Sequence, residues 1–169
     1  MLNDRQQQLV NVAQKMVDEL PGGDRFTVAS AAADSAGKIH TGINLRHFAG
    51  GPCAELVCLA NAAAANAAQA GPADAAQAST TRAGHLTTIV AVGDQDRGVI
   101  PPCGRCRQIL LDLHPGISVV VPGAGGELRA VAVSDLLPYN YVSPEPTPAQ
   151  VHPLTPSEAS MIASDERLA

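Results

Sequence analysis

The chain has 169 residues and a formal net charge of -5 at pH 7, with no Trp, two Phe and two Tyr. That acidity opposes the counterion-displacing contacts that hold nucleic-acid backbones, and so few aromatic rings leave almost no platform for stacking single strands. The amino-terminal stretch MLNDRQQQLV has neither a basic nor an apolar leader pattern, and no apolar run approaches the roughly 18 residues of a membrane span. The expected setting is therefore soluble and cytoplasmic, with a small molecule as partner and neither nucleic acid nor membrane.

In chain order, Leu9, Val12, Ala13, Met16, Val17 and Leu20 recur at helical spacing until Pro21-Gly22-Gly23 ends the run. This predicts an amphipathic first helix. Residues 26–33 and a stretch ending near Ile43 read as two strands joined by a turn at 34–37. After the break at Gly50-Gly51-Pro52, CAELVCLANAAAANAAQA has strong helix propensity from Cys53 to about Ala70. An aperiodic, alanine-rich insert at about 69–83 follows.

HLTTIVAVG predicts a third strand, GRCRQILLDLH a third helix, and ISVVV and LRAVAV two further strands. Beyond Leu137 the composition turns to proline and polar residues, so a single domain is expected over 1–142 and a poorly ordered tail over 143–169. The element order predicts an α/β fold, a three-layer α/β/α arrangement around a central five-stranded mixed sheet.

The chain has four cysteines, and in a reducing compartment metal binding or redox work is the better reading of them than structural disulfides. Cys103 and Cys106, in VIPPCGRCRQILL, are spaced to clasp one ion from a turn and the first turn of a helix. Cys53 stands in the same setting, just after Gly-Gly-Pro at a helix start. Two helix amino-termini converging on three thiols would lower their pKa values and ease repulsion among thiolates. Three protein ligands leave tetrahedral zinc one open position, the mark of a catalytic site where water is activated.

Glu55, two residues after Cys53, then reads as a proton shuttle that is not a ligand. Cys53-Ala54-Glu55 with Pro102-Cys103-Gly104-Arg105-Cys106 is the three-cysteine form of the zinc deaminase pattern. Other readings stand beside it. Glu55 also suits a helix amino-terminus, Cys103 and Cys106 also suit a redox disulfide, and a closed structural zinc would need a fourth ligand from Cys58, His47, His85 or His114.

With these motifs in view, the chain resembles the cytidine deaminase superfamily, most closely the blasticidin S deaminases. TGINLRHFAGGPCAELV, DRGVIPPCGRCRQILLDLHPGI and LLPYNYV carry the resemblance, and VASAAADSAGKIHTG fits the first hairpin. It implies a homotetramer with one zinc per subunit, active sites completed by neighbouring subunits, and hydrolytic deamination at C4 of a free cytosine nucleoside, with Glu55 moving the protons.

By the same resemblance, Ala54 offers its N–H and Pro101 its carbonyl to the pyrimidine. Phe26 contacts the ring, Asn44 holds the sugar and Ser30 lies nearby. Arg105 takes over neutralisation of the thiolates from the arginine that many cytidine deaminases have where this chain has Leu56. Arg46 departs from the family, standing where cytidine deaminases have a ribose-holding Glu and the blasticidin type an aromatic residue. Ser143 likewise replaces an aromatic residue after Tyr141-Val142. These departures leave open another aminated heterocycle as substrate, beside a noncatalytic binder braced by zinc.

Overall fold

The computed structural model describes residues 1–67, 85–142 and 144. The insert expected at 69–83, and the tail expected from 143 onward apart from residue 144, lie outside the described residues. Helix α1 spans Asp4–Asp18 and starts at a capping box, in which Asn3 Oδ1 accepts from Gln6 N and Gln6 Oε1 accepts from Asn3 N. The helix thus begins a turn before its first apolar repeat, because a polar cap and not the core sets its start.

Strands β1 (Val28–Asp34) and β2 (Ile39–Ile43) form the expected hairpin. Asp34 closes its turn, with Oδ1 accepting from Ala36 N and Lys38 N at 3.0 and 2.8 Å. Then come α2 (Ala54–Ala67), β3 (Leu86–Gly93), β4 (Gly98–Ile100), α3 (Gly104–Leu113), β5 (Ser118–Pro122), β6 (Leu128–Ala132) and a 3-10 turn at Val133–Leu136.

The path through the sheet is β2-β1-β3-β5-β6, with β3 and β5 parallel and the other pairs antiparallel. β4 makes it six-stranded, where five were expected. It pairs with Ala91–Gly93 along the edge of β3 whose earlier residues Thr88 and Ile89 pair with β5. Three residues after a tight turn are too few for alternation to show in sequence. The strand matters because it runs straight into Pro101-Pro102-Cys103 and so aims the start of α3.

Alternation along the strands divides the core in two. Ala29, Ala31, Ala33, Val90, Val92 and Val120 point to one face and pack under Leu9, Ala13 and Val17 of α1. Ala32, Ile89, Val119 and Val121 point to the other, under Cys58, Leu59 and Ala62 of α2 and Leu110 of α3. Helices on both faces give the three layers that the element order implied.

Candidate metal centre

Each of the three cysteines sits where a helix begins. Cys53 O accepts from Leu56 N and Val57 N, which makes Cys53 the residue that opens α2. Cys103 caps α3, with its carbonyl accepting from Arg107 N at 3.0 Å, and Cys106 lies in the first turn behind it. A side chain at Gly42 of β2 would run into Cys58 N and Ala54 O, so glycine is what lets α2 lie this close to the sheet. Close packing there brings the start of α2 beside the start of α3.

The three sulfurs lie within 4.8 Å of one another. Cys53 Sγ and Cys103 Sγ are 3.7 Å apart, which matches the spacing of about 3.8 Å for two sulfurs each ~2.3 Å from one tetrahedral zinc. Among the described residues no other set of three His, Cys, Asp or Glu side chains gathers in this way. Neither Cys58 nor the candidate histidines join the triad. Cys58 donates to His40 O at 3.2 Å, His47 stacks on Phe48, and His85 lies against His114. A soft three-thiol set with no fourth ligand among the described residues fits zinc with an open position.

Burial alone would raise the Cys103 thiol, but hydrogen bonds from Cys106 and Cys53 outweigh it and hold Cys103 below the ordinary thiol value. Cys106 is raised by its burial and by the nearby Glu55 carboxylate. Burial pushes Cys58 up to about 12, in keeping with an inert core thiol. Arg105 Nη2 donates to Gly51 O at 3.1 Å and to Cys53 Sγ at 3.4 Å, clamping the loop before Cys53 onto α3.

Glu55 is only 6% exposed and has no hydrogen-bond partner among the described residues. Its charge nevertheless reaches the thiols of both Cys103 and Cys106. Ala54 is fully buried as the first residue of α2, a position whose N–H has no helical acceptor. Pro101 is exposed between β4 and α3, and Phe26 is half-buried ahead of β1.

Two candidates are tied more tightly into the fold than their residue types suggested. Asn44 Oδ1 accepts from Thr27 N and Val28 N, and its Nδ2 donates to Thr27 Oγ1, so the side chain locks the segment before β1 onto the end of β2. Ser30 is fully buried and donates to Val90 O at 2.8 Å. Arg107, which sequence reading passed over, braces the entry to α3 by donating to Pro102 O and Leu136 O. Nothing local to its sequence signals this, since both acceptors are backbone carbonyls fixed by the fold.

A cytidine deaminase of Halalkalibacterium halodurans is 32% identical over 117 residues, covering 68% of this chain and 76% of that protein. One of Mycobacterium tuberculosis is 32% identical over 118 residues, covering 68% and 71%. The chain belongs to the cytidine deaminase superfamily. A blasticidin-S deaminase of Bacillus cereus is 24% identical over 143 residues, covering 79% of this chain and 90% of that one.

Among solved structures, the cytidine deaminase of Burkholderia pseudomallei superposes with a TM-score of 0.58 at 27% identity, over 83% of this chain and all of that one. That of Mycobacterium tuberculosis gives 0.58 at 25%, over 81% and 97%. No family model matches the chain. The deaminase fold therefore extends over the described sheet and its helices, and the triad is the group in it suited to the metal of a zinc-type deaminase. No helix among the described residues is long and apolar enough to cross a membrane.

Proposed function

We propose that this superfamily member is a zinc-dependent aminohydrolase acting on a free cytosine nucleoside of the cytidine, deoxycytidine or blasticidin S type. The observation that carries the reading is Glu55, only 6% exposed, with no hydrogen-bond partner among the described residues and with its charge reaching Cys103 and Cys106, two of three thiols that no fourth ligand joins among the described residues. Cys53, Cys103 and Cys106 would hold the zinc, and the ion would make water acidic enough to attack near neutral pH. Glu55 accepts a proton from the attacking water and delivers it to ring N3. It then carries the second proton to the amine, so that the bond from C4 to oxygen forms, the bond from C4 to nitrogen breaks, and ammonia leaves a uracil product.

Ala54 N–H and the Pro101 carbonyl orient the pyrimidine, with Phe26 against the ring. Asn44 presents its remaining N–H toward the sugar, and Ser30 backs the floor of the site through the sheet. Arg105 steadies the Cys53 thiolate. The four free thiols suit a reducing compartment such as the cytoplasm.

A homotetramer is part of the same proposal. α2 is apolar nearly all round, yet Ala60, Ala63, Ala64 and Ala67 are exposed, and so are Phe48 and the triad residue Cys103. A helix of that character belongs under cover, and a nucleoside site has to enclose most of its ligand. Neighbouring copies would supply both covers.

The test is loss of ultraviolet absorbance from cytidine, deoxycytidine and blasticidin S, with the wild type beside Glu55→Gln at matched zinc content. We expect turnover of at least one substrate and a fall of about 10²- to 10⁴-fold in the variant. A zinc-loaded wild type that turns over none of them, or a variant as active as the wild type, would reject the reading.

A further inference from the structure

The two helices that share one side of the sheet leave a groove between them. Leu56, Leu59 and Ala63 of α2, Ile109 and Leu113 of α3 and Leu86 of β3 line a cavity of about 370 Å³ there, and Leu113 is still 41% exposed. Asn66 and His114 line it as well, and Asn66 Nδ2 and His114 Nδ1 are buried without a hydrogen-bond partner. An aliphatic space with two polar atoms unsatisfied suits a peptide. Apolar side chains fill the cavity, while backbone groups pair with the two nitrogens.

The chain after β6 turns toward this groove. Arg107 Nη1 donates to Leu136 O at 2.9 Å. Further on, Tyr141 O accepts from Gln108 Nε2 at 2.8 Å and Tyr141 N donates to Gln108 Oε1 at 3.2 Å. Successive residues of a helix point about 100° apart, so between Leu136 and Tyr141 the chain passes from the Arg107 side of α3 to its Gln108 side. One more step in the same sense reaches Ile109 and the groove. Around a helix about 10–12 Å across, that step is roughly 10 Å, or about three residues of extended chain.

Two stretches outside the described residues compete for the space. In the insert at 68–84 the apolar side chains are alanine and proline alone, too small to fill a cavity lined by leucine and isoleucine to the density of a protein interior. The tail has Val151, Leu154, Met161, Ile162 and Leu168. Val151 and Leu154 lie in VHPLTP, and the polyproline II helix, with three residues per turn, sets residues three apart on one side. At ~3.1 Å per residue the chain from Tyr141 to Val151 spans ~30 Å, enough to round α3 and enter the groove. We propose that Val151–Pro156 lies in the groove between α2 and α3 of its own chain, with Val151 and Leu154 as its anchors. Ala64, turned about 100° from Ala63, stays available to a neighbouring copy.

The experiment places a benzoylphenylalanine photo-cross-linker at position 63 of the full chain. Equal parts of unlabelled and 15N-labelled protein are mixed before irradiation, so that mass spectrometry tells an adduct within one chain from one between chains. We expect the main adduct within one chain, at 149–157, and a fall of about tenfold in its yield in Val151→Ser/Leu154→Ser, where two buried aliphatic side chains are lost. Hydrogen exchange gives a second reading without the cross-linker. Amides of 149–157 should exchange at least about tenfold more slowly in wild type than in Ala63→Glu, which forces a carboxylate toward the groove at an exposed position.

An adduct at 68–84, no adduct at all, or a yield unchanged by the two serines overturns the proposal. Equal exchange in wild type and Ala63→Glu does the same. An adduct between chains also overturns it and assigns the groove to a second copy.

Discussion

The two faces of the sheet are built from the same strands and bury different things. Under α1 lies an aliphatic cluster that includes Leu9, Val17, Val90 and Val92, and the helix turns a polar outer face to solvent. Under α2 and α3 the apolar core is interrupted by Ser30, the Asp34–His40 pair, Asn44, Glu55 and two buried thiols. Buried polar groups cost free energy unless each is paired. On the second face most are paired, while Glu55 has no hydrogen-bond partner among the described residues and Asn66 Nδ2 and His114 Nδ1 are buried without one. The contrast separates an aliphatic face from the face that carries the thiol triad.

The contrast is sharpest at the thiol triad, where the largest effect is expected. Cys103→Ala should lower co-purifying zinc at least about tenfold, since even the loss of a supporting hydrogen bond costs 10–100-fold in metal affinity. Because Cys103 is exposed, the thermal midpoint of the metal-free variant should match that of metal-free wild type. Metal analysis and a melt of both apo proteins check this, and unchanged zinc content would remove Cys103 from the ligand set.

On the other face, Leu9→Ala should cost about 2–5 kcal/mol by leaving a cavity under α1. Zinc per folded molecule should stay at the wild-type level. Denaturant unfolding with metal analysis of the folded fraction would test both halves, and loss of zinc in step with stability would break the division between the faces.

The smallest effect concerns acid. Burial by itself raises the Asp34 carboxyl, but hydrogen bonds from His40, Lys38 N–H and Ala36 N–H outweigh it and leave the folded pKa below the ordinary 3.8. A lowered carboxyl pKa stabilises the fold fully above 3.8 and loses that contribution as pH falls through it toward the folded value. Wild type should therefore lose stability more steeply than Asp34→Asn below about pH 4, measured as melting temperature against pH. Parallel curves would mean that Asp34 does not titrate with unfolding.

How much was legible depended on how local the signal was. PCGRC and CAE mark helix starts and metal-ligand spacing within a few residues, so Cys53, Cys103, Cys106 and Glu55 stood out. Asn44 and Ser30 were singled out by position, but their polar atoms turn out to serve the backbone at Thr27, Val28 and Val90. β4 and Arg107 were missed because a three-residue strand has no visible period, and an arginine bonded to carbonyls of Pro102 and Leu136 has no sequence spacing to betray it.

The sequence by itself determined the order of helices and strands, the α/β class and the residue types of the centre, because caps, breaks and periodicity act over a turn or two of chain. Only the tertiary structure decided that residues 50 apart, Cys53 and Cys103, lie 3.7 Å from one another, and that Arg105 reaches back to Gly51 O. Those proximities follow from α2 packing closely on Gly42 and from β4 running along β3 into α3. Pairing and packing between distant segments depend on the summed fit of the whole sheet, which no short window of sequence contains.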